Sequence, residues 1–275
     1  MAERSSVEID LEILLLKVAI APAFVGLVSV AARRYGHGPA GWLVALPINT
    51  GTILFVLAVT EGTGFAATAA AGSLLGVVSV SAFAIGYARS ATRFAWPLCL
   101  GAAIAAFVAS TAILSQLPSR VPLDLAGAVV ALVLVLAFLP RTSAPVRANA
   151  GVRWEIPMRM LTAAVLVLVI TSAAEGLGAR LSGLLTPVPV FTITLVLFTH
   201  SREGPTPVFV FLRGLQFGLF SFAAFCTAVA VVLGPYGIGV ALAAGLGAFL
   251  AAYGLVRLVQ SRFLSGRVSG PRPNP

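Results

Sequence analysis

Apolar runs of about twenty residues follow one another along this chain, separated by short gaps that hold most of its arginines. A helix of that length crosses the roughly 30 Å hydrocarbon core of a bilayer. Nine runs are read, at residues 13–32, 40–60, 64–87, 95–116, 122–140, 156–178, 181–200, 206–232 and 236–259. The gaps near 60–64 and 116–122 are short, which brackets the count between 8 and 10. The pattern predicts an all-α polytopic membrane protein with about nine transmembrane helices. Residues 263–275, mostly Ser, Gly, Pro and Arg, predict a disordered tail.

Composition supports that class. The chain is 59% hydrophobic and only 10% charged, against about 25% charged residues in a soluble domain. Too little charge is present to clothe so much apolar material in water. The formal charge of +9 invites a nucleic-acid reading. The placement of the charges argues against one, because the positives sit in the gaps between apolar runs and so set membrane orientation.

One side collects 13 basic residues, at Arg33, Arg34, Arg89, Arg93, Arg141, Arg147, Arg153, Arg159, Arg202, Arg257, Arg262, Arg267 and Arg272. The other collects Arg4, Lys17, Arg120 and Arg180. The first side is therefore expected in the cytoplasm, with the N-terminus outside and the C-terminus inside, an arrangement that requires an odd number of spans. Glu3, Glu8, Asp10 and Glu12 precede the first run where a cleavable signal would carry positives, so the first run is expected to be retained.

The chain also repeats itself. At an offset of 142, Gly41, Pro47, Thr50, Thr52, Glu61, Gly62, Gly72, Gly76, Ser79 and Phe83 fall on Gly183, Pro189, Thr192, Thr194, Glu203, Gly204, Gly214, Gly218, Ser221 and Phe225 without a gap. Lys17 falls on Arg159. Glycine is 27 of 275 residues, so four aligned glycine pairs with a proline pair and an acidic pair are hard to obtain by chance. The first copy would start outside and the second inside, with the fifth span as the linking helix. That arrangement is a pair of inverted-topology repeats of about four helices each, as in many secondary transporters. The expected division is residues 1–140 for the first repeat plus linker, 141–262 for the second repeat, and 263–275 for a cytoplasmic tail.

The matched second and seventh spans each place proline in an apolar run followed by hydroxyl residues: Pro47 before Asn49, Thr50 and Thr52; Pro187 and Pro189 before Thr192 and Thr194. Proline removes a backbone donor and frees carbonyls at depth. Such breaks build midplane binding sites in transporters, and they are also tolerated as purely structural features. Asn49 has Phe191 opposite it in the second copy, so any site would be asymmetric. Gly72 with Gly76, and Gly214 with Gly218, are spaced to place two glycines on one helix face and predict close helix packing.

Arg213 lies about two turns inside the eighth span, with Gln216 near it on the same helix. A charge at that depth is a candidate for substrate binding, although a long stem can also snorkel to the interface. Glu175 could pair with Arg180. His200 is expected to be solvated, and Glu61 and Glu203 to end their helices. Cys99 and Cys226 read as buried free thiols. No metal-ligand spacing, Walker-type loop, catalytic triad or mid-membrane carboxylate pair is visible, so neither an enzyme nor a cofactor is expected.

The stretch Gly41-Trp-Leu-Val-Ala-Leu-Pro47-Ile-Asn49-Thr50, with Lys17 upstream, resembles the small four-helix bacterial membrane proteins of the GlpM type. The second copy resembles them more closely, through Gly183-Leu-Leu-Thr-Pro187-Val-Pro189-Val-Phe191-Thr192, His200, Phe211-Leu-Arg213-Gly214 and Ser221. The likeness covers about 70 residues per copy and leaves out the fifth span. The first copy has Ala71 and Ala58 where the second has Arg213 and His200. The resemblance implies a four-helix unit, here fused as two inverted copies, in the bacterial inner membrane.

The expected function is a secondary transporter or permease of a small solute. Its site would lie between spans two and seven, lined by Asn49, Thr50, Thr52, Thr192 and Thr194, with Arg213 favouring an anion. The alternatives are a non-transporting membrane protein that assists envelope polysaccharide assembly or anchors partners, and a passive channel for a small ion. The expected partners are the lipid bilayer and a small molecule or ion, with self-association left open and no nucleic acid.

Overall fold

A computed structural model describes residues 21–141, 154–169 and 189–265, and the side chains of Asn49 and of residues 263–265 lie outside that description. The described chain is helical, 89% overall, with no strand among the described residues. Helices run over 21–35 (α1), His37–Val44 (α2), Ile48–Thr60 (α3), Thr63–Ser90 (α4), Trp96–Leu114 (α5), Val121–Phe138 (α6), 155–169 (α7), Val190–Glu203 (α8) and Pro205–Ser265 (α9). Four of them, α4, α5, α6 and α9, are long and apolar enough to cross a membrane. Lys17, Glu175, Arg180, Gly183, Pro187 and residues 266–275 lie outside the described residues.

Local sequence explains the boundaries. Pro97 and Pro122 stand in the first turns of α5 and α6, where a missing N–H costs nothing. The predicted second span is two helices. Val44 ends α2, Ala45 and Leu46 turn back onto the carbonyls of Trp42 and Leu43, and Pro47 opens α3. Pro189 opens α8 in the same way. Gly62 and Gly204 then join α3 to α4 and α8 to α9 at φ 95° and 83°, a region in which a Cβ is strained. The long α9 is broken at Gly237, with φ 77° and ψ 175°. Its second segment continues to Ser265, past residue 263 where the tail was expected to begin.

These boundaries keep the repeat register. α3 and α8 begin 142 residues apart, as do α4 and α9, and as do the extended residue that opens α5, Ala95, and the break at Gly237. The helices pair in definite directions. Gly38 meets Gly214 while Trp42 and Ala45 meet Gly218, so α2 runs alongside α9 in the same sense. Ala66, Ala70 and Leu74 of α4 share a buried cluster with Ala223, Phe225, Val229 and Leu233. Val77 to Ala91 share another with Val208 to Leu219. Thus α4 and the first segment of α9 cross in opposite senses. α6 packs across both.

Glycine sets the depth of the α2–α9 contact. A Cβ on Gly41 would lie 2.0 Å from the Phe211 carbonyl oxygen, and one on Gly214 would lie 2.0 Å from the Gly38 carbonyl oxygen. Only hydrogen fits between these backbones. The outer surface is of another kind. Leu123, Val130, Val133 and Phe138 of α6, Leu98 and Ile113 of α5, and Leu250, Leu255 and Leu258 of α9 are exposed apolar side chains. An apolar helix carrying its large side chains outward suits a hydrocarbon solvent.

Candidate functional site

Most of the charge in the described interior collects at one end of the bundle, where α1 ends, α2 and α9 begin, and α4, α6 and α8 finish. Arg33 of α1 donates to Glu155 of α7 at 3.2 Å, and Glu155 also accepts from Arg159 one turn along its own helix. Arg159 is 4% exposed, stands 5.7 Å from the ring centroid of Phe198, and interacts electrostatically with Glu203. Glu203, the last residue of α8, lies with Oε2 3.0 Å from Nε2 of His37, the first residue of α2. His37 is itself only 3% exposed. Buried charges persist when they are paired and hydrogen-bonded, and here two guanidiniums face two carboxylates.

A second contact lies one turn back along α8. The Tyr87 hydroxyl oxygen is 2.8 Å from Nδ1 of His200, and the two rings meet edge to face at 5.7 Å. The expectation of a solvated His200 is therefore corrected, because the ring is packed on α4. Glu203 also does more than end a helix, whereas its repeat equivalent Glu61 is exposed at the end of α3.

Arg213 is half-buried and bound to backbone. Its Nη1 donates to the carbonyls of Leu136 and Leu139 at 3.0 and 3.1 Å. Leu136 is in the last turn of α6 and Leu139 caps its end, where carbonyls have no partner inside the helix. A cation there also meets the negative end of the helix dipole. Arg213 thus fastens α9 to the end of α6. Gln216, one turn further, is fully buried; its Oε1 accepts from Ser81 of α4 at 2.9 Å, and its Nε2 has no partner among the described residues. This contact sits where α4 and α9 cross. The buried hydroxyl of Ser221 likewise has no described partner.

The hydroxyl residues after the two prolines separate into different surroundings. Thr52 is exposed and bonds back to the Ile48 carbonyl, and Thr50 is half-buried. Thr192 and Thr194 are buried, with Thr194 bonded back to the Val190 carbonyl. α3 packs on α4 and α9, while α8 packs on α9, α5 and α2. The two helices share no extended contact, and no described hydrogen bond joins the threonines of one to those of the other. Phe191, which replaces Asn49 in the second copy, packs against Phe24 with ring centroids 4.9 Å apart and planes tilted by 54°. Of the four motif glycines, Gly214 and Gly218 lie against α2, with a Cβ on Gly218 meeting Ala45 Cβ at 2.6 Å; Gly72 is exposed and Gly76 half-buried on α4.

The sequence reading named Arg33, Arg159 and Glu203 for other reasons and missed His37, Tyr87 and Glu155 as a network. The available signal was slight. Glu155 is an acid in an arginine-rich gap, and His37 stands one residue past a glycine at a helix start.

Fold and network together define a class: an all-helical chain with several membrane-competent helices and buried polar contacts between its two halves. The chain matches no protein-family model, no curated protein and no solved structure.

Proposed function

We propose that the chain is a multi-pass inner-membrane permease, a secondary transporter of a small solute. In this reading it has nine spans, two GlpM-like inverted repeats, and α6 as the linking helix. The observation that carries the reading is the broken second span. α3 has 13 residues and α2 has 8, giving lengths of about 20 and 12 Å. Neither crosses a 30 Å core alone, and together they do. In this reading the break at Ala45–Pro47 falls at depth, and Pro189 opens α8 at the equivalent position of the other copy. Opposed copies are supported by geometry: α2 runs parallel to α9 but belongs to a hairpin in which α4 runs against it.

Broken helices paired across an in-plane pseudo-two-fold are how alternating-access carriers hold a solute. The α4–α9 crossing, with Ser81 and Gln216 at its centre, would be the pivot. The glycine-lined α2–α9 surface offers a smooth face on which the halves could rock.

The test is flux in reconstituted liposomes with a panel of labelled organic anions, sugars and amino acids. Uptake that saturates, and that is lost in Asn49→Leu and Thr192→Val, is the expected outcome. Uptake unchanged in both variants overturns the reading. A second reading, a non-transporting protein that assists envelope polysaccharide assembly or anchors partners, is favoured by the separation of the threonines and the commitment of Arg213 to α6. It predicts no flux, and no labelling by a membrane-impermeant maleimide at Thr192→Cys from either side.

A further inference from the structure

A buried hydroxyl normally finds a partner, and on a helix the nearest is a carbonyl one turn back. Thr194 and Thr227 follow that rule. Ser221 does not. It is fully buried on α9, and its Oγ has no partner among the described residues. Its repeat equivalent, Ser79, accepts from Thr111 at 2.9 Å. The position equivalent to Thr111 is Tyr253, whose ring packs on Trp42 with centroids 4.0 Å apart. Divergence of the copies has left the second hydroxyl open.

Helix register says what Ser221 faces. At about 100° per residue, Gly214, Gly218, Ser221 and Phe225 fall within about 60° of one another around α9. A Cβ on Gly218 would meet Ala45 Cβ at 2.6 Å, and one on Gly51 would stand 3.6 Å from Phe225 Cζ. Ser221 lies between those two contacts, so it stands opposite the break at Ala45–Pro47 and the first turn of α3. That turn is uncapped. The Gly51 N–H bonds back to the Pro47 carbonyl at 2.7 Å, and no side chain caps the helix start before it. The N–H groups of residues 48–50 therefore have no partner inside α3. A further donor lies beside them. Trp42 Nε1 is buried without a described partner, and the Cδ1 bonded to it would be 3.2 Å from a Cβ on Gly218.

We infer that Trp42, Ser221 and the first turn of α3 form a binding site for a small monovalent oxyanion, of which a carboxylate is the simplest. An indole N–H and backbone N–H groups can only donate, and the Ser221 hydroxyl can donate as well. Donors gathered at the positive end of a helix select an acceptor that carries negative charge. No charged side chain lies between Gly38 and Thr60, between Thr63 and Ala88 or between Gly214 and Val256. The charge is therefore held by hydrogen bonds and the helix dipole alone, which favours one negative charge over two and makes each donor count. The site deepens the permease reading and rests on it in one respect only, that the bound anion is the solute carried.

The experiment uses the full chain in lipid nanodiscs with the exposed Trp96 and Trp154 replaced by phenylalanine, which leaves Trp42 as the one tryptophan. Its emission should change saturably with acetate and with lactate, and not with acetamide, the neutral analogue of acetate. Ser221→Ala should weaken the binding about tenfold or more. The same variant removes no described hydrogen bond, so the Tm of the ligand-free protein should hold or rise, which a structural hydroxyl would not allow. Ser79→Ala, at the equivalent position of the other copy, should leave the affinity unchanged. The inference is overturned by an emission that responds to neither anion, by an equal response to acetamide, by an affinity that survives Ser221→Ala, or by a fall in ligand-free Tm in that variant. Flux on the same preparations separates the readings. Binding that depends on Ser221 without flux leaves the site and removes the permease, whereas flux undiminished in Ser221→Ala removes the site and leaves the permease.

Discussion

The tightest contact in the fold gives a sharp stability prediction. Gly214→Ala places a Cβ 2.0 Å from the Gly38 carbonyl oxygen and 2.8 Å from its carbon, where ordinary contact begins at 3.4 Å. The obstacle is backbone on both sides, so neither partner can rotate away. α2 must move outward by more than an ångström, and Gly41 against Phe211 and Gly218 against Ala45 loosen with it. Overpacking of this kind costs about 3 kcal/mol. Alanine returns about 1 kcal/mol through its better helix propensity. The net loss of about 2 kcal/mol corresponds to a fall of about 4–8 °C in Tm for a chain of this size. The assay is thermal unfolding in detergent followed by far-UV circular dichroism. Gly127→Ala on the exposed face of α6, with no described atom within 4 Å of its added Cβ, is the control and should be unchanged or slightly stabilised. A Gly214→Ala protein as stable as the parent would show that α2 and α9 do not touch in this register.

Other perturbations report on other parts of the account. Ser81→Ala leaves both polar ends of buried Gln216 without a described partner and should cost about 1–3 kcal/mol, while the further change Gln216→Leu should recover most of that loss; unfolding of the single and double variants checks this. Arg213→Gln removes the charged clasp on the end of α6 and should destabilise by about 2 kcal/mol, with Arg213→Lys intermediate, by the same measurement. Arg159→Leu leaves Glu155 with Arg33 as its remaining described guanidinium partner and removes positive charge beside Glu203, so a loss of about 1.5–3 kcal/mol is expected, against less than about 1 kcal/mol for the exposed Arg89→Leu, by the same unfolding measurement.

The helices were largely legible because the signal that marks them is strong. The described part of each expected apolar run is helical over most of its length, the second being interrupted at Ala45–Pro47, and the run expected at 122–140 is the helix Val121–Phe138. Proline and glycine punctuation located the interruptions at Pro47 and Gly62 and, through the repeat, at Pro189 and Gly204. Where the reading stopped short, the helix outran its apolar stretch. The ninth run was expected to end at 259 and the tail to begin at 263, yet backbone hydrogen bonding carries α9 to Ser265. The site was legible only in fragments. Composition flagged Arg213 as a costly charge, but its partners are backbone carbonyls of Leu136 and Leu139, which no side-chain pattern encodes. Arg33 and Glu155 are 122 positions apart, and such a pair is fixed by which helix ends come together rather than by spacing. The threonines behind the prolines looked like one site because the copies match in sequence. Of their extended neighbours α3 and α8 share only α9, α3 otherwise packing on α4 and α8 on α5 and α2, so matching motifs need not converge.

The central claim is that two equivalent units lie in the membrane in opposite senses. Phe94 and Tyr236 test it directly: they are 142 residues apart at equivalent bends, and both are exposed, at 54% and 69%. In a background with Cys99 and Cys226 replaced by alanine, Phe94→Cys and Tyr236→Cys are each treated with a membrane-impermeant maleimide on intact cells and on inverted vesicles. Inverted repeats predict that Phe94→Cys reacts only from the cytoplasmic side and Tyr236→Cys only from the outside. Labelling of both from the same side would contradict the account.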